Sequence, residues 1–212
     1  MKILSIDVGI YNLAMCILNV ETDAEIEFWK DINILKGKEY CSVPKCKRVA
    51  THVHEGKNYC IKCKTSLFPK KRLSNIKTAL NTSIENIAEE LYNTLDKETF
   101  DNIDLVLIEN QPTKNIKMKN ISMLLLGYFT MKKIKCTFIN ANKKMELITE
   151  KLPNTYSNRK KSSKLTVKHM LRQSDWALLF KTSKKQDDLS DCLLQGLWYI
   201  KNNINCDISL KV

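Results

Sequence analysis

Glycine is scarce in this chain, with five among 212 residues. An actin-like sugar-kinase fold also opens on a strand ending in Asp-x-Gly. It needs a second glycine-rich phosphate-binding motif and usually a far longer chain, so this composition excludes it. No apolar run approaches the length of a membrane span, and the N-terminus carries no basic, apolar, small-residue leader pattern. The expectation is an intracellular protein in a reducing compartment, with no membrane partner. Acid is also in short supply: 23 Asp and Glu face 35 Lys and Arg, a net charge of +12.

The positive charge is clustered. Residues 38–72 hold ten Lys and Arg against Glu39 and Glu55, a net of +8. Residues 143–185 hold twelve against Glu146, Glu150 and Asp175, a net of +9. Such stretches attract phosphate backbones with little sequence preference and a steep salt dependence. The rest is ordinary for a globular protein: 43% hydrophobic and 27% charged, enough for one domain with an insertion or two small ones.

Residues 2–7, 12–20 and 25–34 read as three consecutive strands, the start of an antiparallel meander. A lysine-rich, cysteine-bearing stretch interrupts from about 38 to 72. Ile76, Leu80, Ile84, Ile87, Leu91 and Leu95 then recur at helical spacing and predict one long amphipathic helix. Residues 104–109 form a buried strand ending in an acid. Ile121, Leu124, Leu125 and Tyr128 mark a second helix, and residues 136–139 a further strand. A basic loop is expected from Leu152 to Ser163, with helices at about 163–172 and 187–202. This order describes an α/β domain with a mixed sheet.

Chemistry concentrates in the acids. Asp7 ends the first strand just before Gly9, which permits a tight turn and a close ligand. Asp7 could simply cap that turn, but a lone acid in a buried strand otherwise calls for a cation. Glu109 ends the strand after the long helix, and neighbouring strands would set the two carboxylates side by side. Asp188 and Asp191, three apart, share a flank of the last helix; Asp187 and Asp191, four apart, are an equally permissible pair. Like charges so close repel unless divalent cations gather them. Oxygen donors without histidine point to Mg²⁺ or Mn²⁺. Two such ions about 4 Å apart suit phosphodiester hydrolysis.

Three segments carry a resemblance: Ser5-Ile6-Asp7-Val8-Gly9 with Asn12, Ile108-Glu109-Asn110-Gln111-Pro112, and Lys184-Lys185-Gln186-Asp187-Asp188-Leu189-Ser190-Asp191. In these the chain resembles the RuvC-like Holliday junction resolvases, above all the poxvirus, large DNA virus and fungal mitochondrial branch. The likeness covers nearly everything outside the cysteine-bearing insert. It implies an RNase H-like fold over 1–212, a mixed five-stranded sheet flanked by helices, acting as a homodimer on four-way DNA junctions. It implies two Mg²⁺ or Mn²⁺ ions held by Asp7, Glu109, Asp188 and Asp191, with Asp187 in place of Asp188 in some members. It also implies a lysine near the scissile phosphate, for which Lys160, Lys161, Lys164 and Lys168 are candidates and Lys161 is favoured. A viral source would put the protein at a host cytoplasmic replication site. Two rival functions are another RNase H-like nuclease cutting RNA–DNA hybrids, and a non-catalytic zinc-bearing nucleic-acid adaptor.

The insert, residues 38–70, carries Cys41, Cys46, Cys60 and Cys63 in two close pairs separated by thirteen residues. Such pairs can close a tetrahedral shell around a structural Zn²⁺ in a module too small for its own core. His52 and His54 lie between the pairs and are expected on the surface. Lys47 and Arg48 beside the ligands, with Lys160 and Lys164 further on, are the DNA-binding candidates. A docking or dimerisation knob is the rival role for the insert. Tyr11, Trp176, Phe180 and Trp198 read as packing residues, Gln111 as solvent-exposed, and His169 as a helix-surface histidine.

Overall fold

The computed structural model describes residues 1–35, 39–76, 82–150, 152–153, 155–172 and 174–204. Strands β1 (Lys2–Asp7), β2 (Asn12–Val20) and β3 (Ala24–Asn33) form the expected antiparallel meander. At Gly9 an added Cβ would collide with the Asn12 carbonyl, so the β1–β2 turn depends on the missing side chain.

The cysteine-bearing segment builds its own small sheet from β4 (His52–His54) and β5 (Lys57–Tyr59), followed by the short helix α1 (Ile61–Leu67) and β6 (Ser74–Asn75). Its strand order is β5-β4-β6, so this sheet reaches past residue 70 to Asn75. Ile76 donates its backbone N–H to Thr51 and stays with this module. That corrects the long helix read from periodicity. Helix α2 spans Ile84–Leu95 and starts where Ser83 accepts the Asn86 N–H as an N-cap. Leu80 lies outside the described residues.

Strand β7 (Leu105–Asn110), helix α3 (Ile116–Met131) and strand β8 (Lys135–Asn140) complete a five-stranded sheet of order β3-β2-β1-β7-β8. β7 runs parallel to both β1 and β8, so the sheet is mixed, as expected. Alternation along the strands sends Leu4, Ile6, Val106 and Ile108 to a core under α2 and α3. Ile3, Leu105 and Leu107 go to the opposite core.

A 3₁₀ turn (Lys143–Leu147) follows β8, then helices α4 (Tyr156–Met170), α5 (Trp176–Thr182) and α6 (Gln186–Asn203). Helix α4 begins well inside the expected basic loop, with Thr155 Oγ1 accepting the Asn158 N–H at 3.2 Å. Its buried face is mostly Ser162, Ser163 and Thr166, so no apolar stripe marks it in the sequence. Helix α5 was not expected at all. It is held by Phe180, which stacks on Trp29 at 5.4 Å, and by Trp176, whose indole N–H donates to the Ile26 carbonyl.

Helix α6 lies across β1 and β2 on the second face of the sheet. At Gly196 an added Cβ would sit 2.6 Å from Leu18 Cδ1 and 3.2 Å from Ser5 Cβ, so glycine sets this close approach. One residue earlier, the buried Gln195 amide donates to Ser5 Oγ and to the Ile6 carbonyl, each at 3.2 Å. These contacts fix the height of α6 over β1.

Candidate active site

The β1–β7 register pairs Ile6 with Ile108, so Asp7 and Glu109 follow as lateral neighbours on the α6 side of the sheet. Asp191 lies one turn before Gln195 on α6, so the Gln195 anchor delivers it to the same place. A fourth group arrives from the turn after β8. The buried Lys144 ammonium stands 2.8 Å from Asp191 Oδ2 and 3.2 Å from Glu109 Oε1. Gln111 donates to the other Glu109 oxygen at 2.6 Å.

Burial dominates the titration of this cluster. It pushes the Asp7 carboxyl well above the usual range, and the Glu109 and Asp191 charges push the same way against Lys144. Burial also raises Asp191, outweighing the attraction of Lys144. For Lys144 burial alone would lower the value, but Asp191, Glu109 and Asp7 together keep it charged, above the ordinary lysine range. A buried Lys⁺ among three acids is a stand-in for the positive charge that the acids require.

The four acids Asp7, Glu109, Asp188 and Asp191 line one cavity of about 570 Å³, with Lys144 and Lys160. Arg159 and Lys185 line it too. Asp188 is 3.4 Å from Lys185. Asp187 instead turns to Lys160 at 2.6 Å, and that bond holds its carboxyl below the usual range despite partial burial. The structure therefore sets Asp188, and not Asp187, on the wall of the cavity that the other acids line. Lys161 faces away from them, toward a second cavity that Lys164 and Lys168 also line.

Three residues here went unread in the sequence. Lys144 was counted only as charge, although a residue just past the C-terminal end of a strand parallel to the Glu109 strand is well placed to reach it. Gln195 had no signal. Asp31 on β3 accepts from the Asn12 amide at 3.2 Å, while its other oxygen is buried without a partner. Burial lifts its carboxyl, with Asp188 and Asp187 adding.

The sulfurs of Cys41, Cys46, Cys60 and Cys63 all lie within 4.8 Å of one another. Among the described residues this is the one group of metal-ligating side chains so tightly gathered. Cys46 Sγ is 3.8 Å from Cys60 Sγ and 3.7 Å from Cys63 Sγ, far beyond a disulfide bond and short enough to share one cation. The Cys63 backbone N–H lowers the Cys60 thiol to about 6. Arg48 sits against Cys60 and Cys46, so its guanidinium faces the sulfur cluster. His52 and His54 stay outside it, bonded to Thr51 and Lys71. Cys16 and Cys192 are buried elsewhere and Cys136 is partly buried; Cys206 lies outside the described residues.

A family model described as mitochondrial resolvase Ydc2 / RNA splicing MRS1 matches residues 3–126. A second, described as Poxvirus A22 protein, matches residues 72–203. The first match takes in Asp7 and Glu109; the second takes in Glu109, Lys144, Asp188 and Asp191. In structure, the chain is similar to the fowlpox virus resolvase solved with Holliday junction DNA, at 19% identity and a TM-score of 0.56, over 95% of this chain and 97% of that one. It is similar to Thermus thermophilus RuvC at 10% identity and a TM-score of 0.54, over 95% and 96%. These likenesses show the shared fold. No curated protein sequence matches the chain.

Proposed function

The chain belongs to the family of the mitochondrial resolvase Ydc2 / RNA splicing MRS1 and the poxvirus A22 proteins, and on that premise we propose that it is a Holliday junction resolvase. In this reading it is a structure-selective endodeoxyribonuclease that cuts four-way DNA junctions symmetrically. One observation carries the proposal: Asp7, Glu109, Asp188 and Asp191 come from three separate elements to one cavity whose other charged walls are cationic.

The donor set fits hard divalent cations. It is all carboxylate oxygen, Asp7 is held where burial and like charge oppose its ionisation, and a buried ammonium stands between two of the acids. Asp7, Glu109, Asp188 and Asp191 would hold Mg²⁺ or Mn²⁺. The chemistry such a pair would supply when bound is activation of a water and stabilisation of the leaving oxygen of a phosphodiester. Arg159, Lys160 and Lys185 receive the phosphate oxygens, and Gln111 fixes the rotamer of Glu109. Gln195 keeps Asp191 in register with the strands.

The cysteine quartet fits zinc. Zn–S bonds of about 2.3 Å place tetrahedral sulfurs about 3.8 Å apart, which the Cys46–Cys60 and Cys46–Cys63 separations match. Bound zinc would staple the insert, whose small sheet runs on to Asn75, and the thiolates call for a reducing compartment. Lys47 on that module, with Lys160 and Lys164 on α4, serves DNA binding. Homodimerisation is supported by α3, where Ile116, Met123, Gly127 and Met131 fall on one exposed stripe.

A non-catalytic adaptor would give no reason to gather buried acids against their mutual repulsion. The deciding experiment incubates the protein with a synthetic four-way junction, an RNA–DNA hybrid and a linear duplex in Mg²⁺ or Mn²⁺. Paired symmetric nicks on the junction, lost in Asp7→Asn and Glu109→Gln, are expected. Cleavage persisting in both variants, or preference for the hybrid, overturns the reading.

A further inference from the structure

A second cavity, of about 510 Å³, lies between α4 and α5. Its floor is apolar, made by Leu165, Leu171, Ala177 and Phe180. The floor is firm: Phe180 stacks in parallel on Trp29, and the Gln186 amide donates to the Phe180 and Lys181 carbonyls, tying α5 to α6. The rim is cationic, made by Lys161, Lys164, Lys168, Arg172 and Lys181, and no acid lines it. Among the described residues none of these five cations has an ion-pair partner, whereas Lys144, Lys160 and Lys185 in the acidic cavity all do.

The two cavities share a narrow ridge. Lys160 lines the acidic one and Lys161 the apolar one; Lys185 and Gln186 divide in the same way at the start of α6. A strand that crosses this ridge from the acids passes into the apolar cavity.

We propose that the α4–α5 cavity is a nucleotide subsite, taking an unstacked base from the DNA strand that leaves the acidic cavity. Apolar walls receive the base, and the unpaired cations of the rim hold the phosphates on either side of it. This chemistry is tolerant of base identity, because every base offers an apolar face. It favours strands whose bases unstack readily, as at a branch point, over continuous duplex. The inference rests on the reading of the chain as a DNA nuclease, but the subsite can be read out without cleavage. An acidic amphipathic peptide would meet the same charge; contiguity with the acidic cavity favours DNA.

The test uses a single-stranded hexanucleotide carrying 2-aminopurine, and four-way junctions carrying it at each of the three nucleotides on either side of the crossover. Binding should change the fluorescence of the hexanucleotide and of at least one junction position. Ala177→Trp, which sets an indole against the apolar floor where the base would lie, should remove both changes and weaken the hexanucleotide about tenfold. If that variant does not fold, Lys164→Glu with Lys168→Glu on the rim should weaken the hexanucleotide and lower its salt slope by about one and a half. Full-strength binding to Ala177→Trp, or to the rim variant with an unchanged slope, overturns the subsite. So does a fluorescence change at no position, or loss in Ala177→Trp of an acidic amphipathic peptide alone. A protein that binds the hexanucleotide in this cavity but cuts no junction would instead refute the resolvase reading and keep the subsite.

Discussion

The Lys144 ammonium stands 2.8 Å from the Asp191 carboxylate, joining the turn after β8 to the second turn of α6. It also reaches Glu109 at 3.2 Å, so one cation ties three elements at the C-terminal end of β7. Removing it leaves buried carboxylates facing one another. Lys144→Met should cost about 3–5 kcal/mol in EDTA, the usual effect of breaking a buried pair. For a chain this size that lowers the unfolding midpoint by roughly 10 °C. Added Mg²⁺ or Mn²⁺ should return more of the midpoint to Lys144→Met than it adds to the wild type. Equal midpoints in EDTA would show that Lys144 compensates nothing.

Asp7 supplies a pH test of the same cluster. Its folded carboxyl titrates above the ordinary aspartate value, mainly through burial. Across the interval between those values the folded protein keeps a proton that the unfolded chain has released, so stability falls as pH rises through it. Asp7→Asn lacks that loss. In EDTA its midpoint should match the wild type near pH 4, the ordinary aspartate value, and exceed it increasingly as pH rises from there. A constant difference across the range would mean that Asp7 ionises in the fold as freely as in the unfolded chain.

The legibility of these features differs for physical reasons. β1, β2 and β7 were readable because strands buried on both faces are continuous apolar runs, and Asp7 and Glu109 interrupt those runs conspicuously. α4 was not, because small hydroxyl residues make its packing face, and polarity of that kind looks like a loop. Periodicity ran too far at α2, since Ile76 fits the helical spacing but belongs to the β6 side of the insert. Asp187 and Asp188 stand at equally permissible spacings from Asp191. What separates them is Lys160 one helix away, a partner that sequence order does not announce. Lys161 was favoured over Lys160 from sequence, yet α4 turns Lys160 to the acidic cavity and Lys161 to the other one.

The insert divides two cations that sequence treated alike. Lys47 and Arg48 are both exposed, but Arg48 also lies against the sulfurs of Cys60 and Cys46. Lys47→Glu should therefore weaken junction binding and lower its salt slope by about one, while leaving metal content unchanged. Arg48→Glu sets a carboxylate beside the thiolates and should also reduce the zinc retained per chain, measured by atomic absorption. Cys46→Ser should lose the zinc outright while the main unfolding transition persists, because α1 buries none of its residues. Identical effects of Lys47→Glu and Arg48→Glu on zinc would refute the distinction.

The stripe on α3 makes the final test. Ile116, Met123 and Met131 are 70%, 49% and 85% exposed, unusual values for large apolar side chains along one helix. They recur with Gly127 at spacings of seven, four and four, which keeps them on one face. Gly127 meets nothing within 4 Å of where its Cβ would be, so a second helix could approach there without obstruction. A two-fold axis through this face would pair the stripe with its own copy, and self-complementary apolar surface suits such a contact. Met123→Glu with Met131→Glu then sets like charges into it. Sedimentation should show the wild type as a dimer and the double variant as a monomer at the same concentration. The monomer should also lose paired nicking, since symmetric cuts need two acidic cavities held in fixed relation. A variant that sediments as a dimer and still nicks both strands would move the interface off α3.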